Sequence, residues 1–219
     1  MLTERRASRS IGEAKRFLAD RRGIAALEFV LIAPIMILLL GSLPDVVGVV
    51  SAAKQATKLA ETMGQLVSQA KVTLTENDIN QILNAAPLVD PDILSYARAA
   101  DVAVENAASI TITSVAFTPI GNSCATTCQY EAGVVFSRTL SGTVRECGKL
   151  SAGSTNSPTT LPAEVFSANS IVVVDVETHF KPFATSFLTG EVSFKRSSYF
   201  RPRYLENVTS TKNCPGYAS

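Results

Sequence analysis

The sequence predicts an α+β protein. A long N-terminal transmembrane and amphipathic helix is followed by short helices and then by a mainly antiparallel sheet of about four strands. Three observations carry this reading: an apolar run behind a basic segment, helical spacing over the next fifty residues, and β-branched and aromatic runs with a period of two from Ser109 onward. The expected organisation is a basic cytoplasmic leader at 1–23, a transmembrane segment at 24–50 and an amphipathic continuation with short helices at 51–108. An antiparallel β domain at 109–206 and a tail at 207–219 complete it. The chain of 219 residues has room for a folded core. Its net charge is +1 and its basic residues are not gathered on a folded module, which argues against a nucleic-acid partner.

Residues 1–23 carry seven Lys and Arg against Glu4, Glu13 and Asp20, a surplus of four positive charges directly before the apolar run. Such flanks stay on the cytoplasmic side, so the chain should run from the cytoplasm outward. From Ile24 to Val50 the charged residues are Glu28 and Asp45. The 16 uncharged residues from Phe29 to Pro44 make roughly 24 Å of helix, and the mildly apolar flanks complete a span. Two competing readings are a buried core helix and a secretory signal cut near Ser51, Ala52 and Ala53. Glu28 and Pro34 inside the run argue against the signal. Pro34 also reads as a simple kink, and Asp45 as a mark of the interface where the span ends.

A carboxylate inside a membrane helix is costly, so Glu28 needs a partner. If the chain is cut after Gly23, Ile24 acquires a free amine. Glu28 then lies four residues on, on the same helical face and in the first turn, where it meets the positive end of the helix dipole and an ammonium of its own chain or a neighbour.

These residues carry a resemblance. Gly23 before a hydrophobic residue, with Glu28 and Phe29 at the fifth and sixth positions of the product, resembles the processing signal of Tad (Flp) pilin-like proteins. More closely, "RRGIAALEFVLIAPIMILLLG" resembles the TadE-like family of minor pilins, or pseudopilins. "MGQLVSQ" (63–69) and "SSYFRPR" (197–203) resemble recurrent segments of that family more weakly. The family commonly has a Glu shortly after the Gly that closes the apolar run; here Pro44 and Asp45 follow Gly41. The resemblance implies a pilus-assembly component with Gly23–Ile24 as the processing site and Glu28 and Phe29 in recognition. It also implies the inner membrane, a prepilin peptidase, other pilin or pseudopilin subunits and the Tad assembly machinery as partners, with a periplasmic C-terminal domain. It implies no cofactor. An uncleaved bitopic envelope scaffold and a secreted soluble protein cut near Ala53 are the alternatives.

Beyond Asp45, Val46, Val49, Ala53, Ala56, Ala60, Met63, Val67 and Ala70 alternate spacings of three and four, so the helix should continue to about Lys71. This seam needs a partner, either the protein's own sheet or neighbouring pilin helices. Thr75 and Asp78 form a capping-box pattern for a second helix ending near Pro87, and Asp90-Pro91 starts another reaching about Arg98. Strands are expected at 109–117, 131–140, 170–180 and 191–201, with a long surface loop at 141–164. A long helix with a sheet against its outer half is the pilin architecture.

The four cysteines fit an oxidising compartment and permit three pairings. If consecutive strands are antiparallel, the 118–130 loop lies at one end of the sheet, and the 141–169 loop and the tail lie at the other. That order pairs Cys124 with Cys128 and Cys147 with Cys214. A zinc site is the alternative, but the C-x3-C spacing without a nearby second pair argues against it, and no metal is expected. Asp175, Glu177 and His179 alternate along one strand, yet neighbours there stand roughly 6.8 Å apart, too far to converge on a metal, so a solvated sheet face is expected. Neither a G-x-S-x-G elbow nor a P-loop is present, and the protein is not expected to be an enzyme.

Overall fold

Helix α1 (Arg22–Ser68) opens the computed structural model, which describes residues 22–121, 128–183 and 190–217, with side chains from Ala26 onward. Pro34 and Pro44 lie inside this helix. The chain divides into two compact units, Met1–Val46 and Val47–Ser219.

In the first unit, the apolar side chains of α1 are turned outward: Leu27, Phe29, Leu31, Ile37 and Leu40 are all exposed, whereas Asp45 is buried. None of the most apolar stretch of α1 is buried, and by length and composition α1 is able to cross a membrane.

The second unit begins with the rest of α1 and continues through α2 (Glu76–Asn84), α3 (Ala86–Val89) and α4 (Asp92–Ala100). The capping box is complete: Thr75 accepts from the Asp78 N–H and Asp78 accepts from the Thr75 N–H. Among the described residues six strands follow: β1 (Ala108–Pro119), β2 (Tyr130–Thr139), β3 (Lys149–Gly153), β4 (Thr160–Pro162), β5 (Ile171–Phe180) and β6 (Val192–Phe200). They form one sheet in the order β4-β3-β2-β1-β5-β6. All pairings are antiparallel except β3 with β4, which is parallel.

The expectation of about four strands is therefore corrected to six in a mixed sheet. The four apolar runs are β1, β2, β5 and β6. The two extra strands lie in the 141–164 segment, whose Ser, Thr and Gly composition hides them; they have three to five residues each and pair at the sheet margin. Two further corrections concern α1. It ends at Ser68 rather than near Lys71, and its buried face is Ala52, Ala56, Leu59, Ala60, Met63 and Val67, so Ala52 and Leu59 join the seam while Val46 is exposed. Its partner within this unit is the protein's own sheet.

Two apolar clusters sandwich that sheet. On the helical side, Leu59, Met63, Val67, Ile79, Leu83 and Ile93 pack with Ile110, Ile112, Val172, Val174 and Val176. On the far side, Leu150 and Leu161 of β3 and β4 cover Val115, Phe117, Val134, Ile171 and Val173. Strands buried on both faces read as continuous apolar runs, as "IVVVDV" does. A bulge in β2 inserts Val135 between the partners of Ser114 and Val115. Its carbonyl is taken by the Cys214 N–H at 2.6 Å, so the bulge fastens the C-terminal segment. The expected tail is thus part of the fold, with Val208 and Ser210 fully buried and Leu74 bonded on both sides to Thr209 and Thr211.

Candidate functional site

The residues singled out on α1 share its first two turns. Gly23 and Ile24 are already helical, and Glu28 and Phe29 follow on exposed positions, Phe29 being 71% exposed.

Further along, the structure brings the two weaker family-like segments together. Gly64 of "MGQLVSQ" carries the ring of Phe200 from "SSYFRPR": a Cβ at Gly64 would stand 2.6 Å from Phe200 Cε2. Around this contact Ser198 Oγ donates to Ala60 O at 2.7 Å, and the Arg203 N–H donates to Ser68 O at 3.0 Å. Gly48 receives the ring of Phe180 in the same way, its absent Cβ falling 2.6 Å from Cζ. A glycine inside a helix costs about 1 kcal/mol relative to alanine, so Gly48 and Gly64 were signals of close approach visible in the sequence. What approaches them was not visible.

The predicted cysteine positions fall as follows. Cys147 is joined to Cys214, with Cα atoms 5.4 Å apart, linking the β2–β3 connection to the C-terminal segment. Cys128 is disulfide-bonded, and Cys124 lies outside the described residues.

The trio of Asp175, Glu177 and His179 is not a plain solvated face, which corrects the expectation. Asp175 is covered by Arg145 from the 141–164 segment. Arg145 Nη2 donates to Asp175 Oδ2 at 2.8 Å and to Asn156 Oδ1 at 2.7 Å, while its Nη1 donates to Ser157 O. Ser197 Oγ and Asn156 Nδ2 both donate to the other oxygen, Asp175 Oδ1. With three donors on its two oxygens, Asp175 fastens this segment to the sheet. Glu177 instead pairs with Lys195 at 3.2 Å, and the ring of His179 stacks on Tyr96 with Nδ1 2.7 Å from Glu191 Oε1. Burial first, and then the Glu191 carboxylate, push the Tyr96 phenol up. Among the described residues no three His, Cys, Asp or Glu are grouped to hold a metal ion.

A polar cavity of about 300 Å³ lies beside Arg145 and Asp175, with Ser109, Thr111 and Lys195 on its walls. The hydroxyls of Ser109 and Thr111 are committed to Ser141 O and Thr143 O. The cluster thus clamps the 141–164 segment to the sheet. Arg145 was the residue sequence reading missed, because a lone arginine in a polar connection carries no pattern.

Compared with protein-family models, curated proteins and solved structures, the chain matches none.

Proposed function

We propose that this chain is a TadE-like minor pilin, or pseudopilin, of a Tad-type pilus assembly system. Residues 24–50 anchor it in the inner membrane, and the second unit works on the periplasmic side. A prepilin peptidase cuts between Gly23 and Ile24, and Glu28 with the new amine sets subunit register. The observation that carries this reading is α1 itself, a single helix whose apolar side chains from Leu27 to Leu43 are exposed and whose continuation carries the sheet. A lipid-facing surface explains that exposure, which water would penalise.

Three further features support it. The basic residues before the span favour a cytoplasmic N-terminus. The Cys147–Cys214 bridge suits an oxidising compartment. The contact of Gly64 with Phe200 joins two segments that each resemble the family.

Mass spectrometry of the N-terminal peptide, taken from protein recovered from its native cell, tests the proposal. A terminus at Ile24 supports prepilin-type processing. Retention of the leader supports an uncleaved anchored scaffold instead, and a terminus near Ala53 supports a secreted protein.

A further inference from the structure

The two halves of the Cys147–Cys214 bridge have unlike surroundings. Cys214 is 5% exposed and belongs to the apolar cluster on the far side of the sheet, with Val134, Leu150 and Leu161. Its backbone is held as well: the N–H donates to Val135 O at 2.6 Å, and the carbonyl accepts from the Tyr217 N–H at 3.3 Å.

Cys147 stands at the other extreme. It lies in an exposed stretch from Glu146 to Lys149, and a Cβ on the following Gly148 would meet no atom within 4 Å. The Gly148 carbonyl accepts from the Val134 N–H at 3.0 Å, so the backbone beside Cys147 is tied to β2 while its outer side is open to water.

Thiol–disulfide exchange is a displacement at one of two sulfurs, and which one reacts depends on access as much as on the attacking thiol. The open approach here is to Cys147. A cavity of about 280 Å³ beside Tyr217 and Lys149 also touches Cys214, and it is the route against which the open one has to be measured.

We propose that Cys147 is the exchange site of this bridge, the residue on which a mixed disulfide with an exogenous thiol forms. The incoming thiolate attacks Cys147 Sγ, the bond to Cys214 breaks, and Cys214 leaves as a thiolate that takes a proton from water. One disulfide replaces another, so no oxidant or further reductant is consumed. In the reverse step Cys214 attacks Cys147 Sγ, expels the thiol and restores the bridge. The fold favours that return, because Val208 and Ser210 are buried and Leu74 bonds to Thr209 and Thr211, contacts that hold the C-terminal segment without the bridge. The proposal does not depend on the pilus reading.

The oxidised full chain in detergent is mixed with reduced glutathione, quenched in acid and digested, and the adduct-bearing peptides are identified by mass spectrometry. A parallel sample receives a thioredoxin-like protein whose second active-site cysteine is replaced by serine. Peptides containing Cys128, which is also disulfide-bonded, are scored separately. In the folded chain adducts should favour Cys147 over Cys214 by about tenfold or more, and the excess should vanish in urea, where both are equally open. Which of the two probes forms the adduct distinguishes a small thiol from a protein thiol. Equal adducts on the two cysteines, or a larger one on Cys214 through the cavity beside Tyr217, overturn the proposal. So does an excess that persists in urea, since the fold would not be its cause, and so does the absence of any Cys147 adduct with either probe.

Discussion

The ring of Phe200 occupies the space where Gly64 lacks a side chain, so the last strand of the sheet and the amphipathic part of α1 meet without a Cβ between them. Ser198 and Arg203 add hydrogen bonds to Ala60 O and Ser68 O on either side of that contact. Gly64→Ala should destabilise the protein by about 1–2 kcal/mol, the cost of overpacking outweighing the gain in helix propensity. Urea unfolding of the detergent-solubilised chain measures it. Adding Phe200→Leu should recover part of the loss in a double-mutant cycle, and additive effects would mean that the two residues do not share the space.

Arg145 is almost wholly buried and depends on Asp175 for its charge balance, with 2% and 28% of the two side chains exposed. Asp175→Ala leaves a buried guanidinium without its carboxylate and should cost about 3 kcal/mol. Arg145→Met combined with Asp175→Ala should cost less than Asp175→Ala alone, since no uncompensated charge remains. A double variant less stable than the Asp175 variant would show that the hydrogen bonds from Arg145 to Asn156 and Ser157 outweigh the charge.

The Cys147–Cys214 bridge spans 67 residues of sequence and ties the bulge-bound C-terminal segment to the β2–β3 connection. A loop of that length is worth about 4 kcal/mol in the chain-entropy account. Replacing both cysteines by alanine should lower the urea midpoint accordingly. Protease cleavage after residue 203 should also appear, because the segment holding Val208 and Ser210 would open more often without its covalent tie. Unchanged resistance would show that packing alone holds it.

Burial pushes the carboxyl of Asp90 up to about 6, even though it accepts the Asp92 N–H at 3.1 Å at the start of α4. Between about pH 4 and 6 the folded chain therefore keeps a proton that the unfolded chain has released, so this group's contribution to stability falls as pH rises through that window. Asp90→Asn retains the acceptor and removes the titration. Its stability should fall less from pH 4 to 6.5, leaving it above the parent at the upper end; parallel pH profiles would exclude the effect.

Glu28 is the charged residue of the apolar run closest to the proposed cut. Glu28→Ala should leave the chain in the membrane fraction but reduce its incorporation into pili several-fold. Normal pilus number and subunit content would remove Glu28 from the mechanism.

The apolar run, its basic flank, the Thr75–Asp78 cap and the four long strands were legible because each is local: a helix or strand declares itself through spacing of 3.6 or 2 residues. The short β3 and β4 were not legible, since three to five residues are too few to show a period and are strands only because β2 offers an edge. Glycines 48 and 64 could be seen as expensive in a helix, whereas the rings that fill them come from residues more than a hundred positions away. The same holds for Arg145, whose partner Asp175 is 30 residues off, and for the Val135 carbonyl that receives Cys214. By itself the sequence determined which segments are apolar, helical or extended, because those preferences act between near neighbours. The tertiary structure decided which groups those segments place against one another, because burial on both faces of the sheet and the pairing of polar groups removed from water depend on long-range closure that no local pattern encodes.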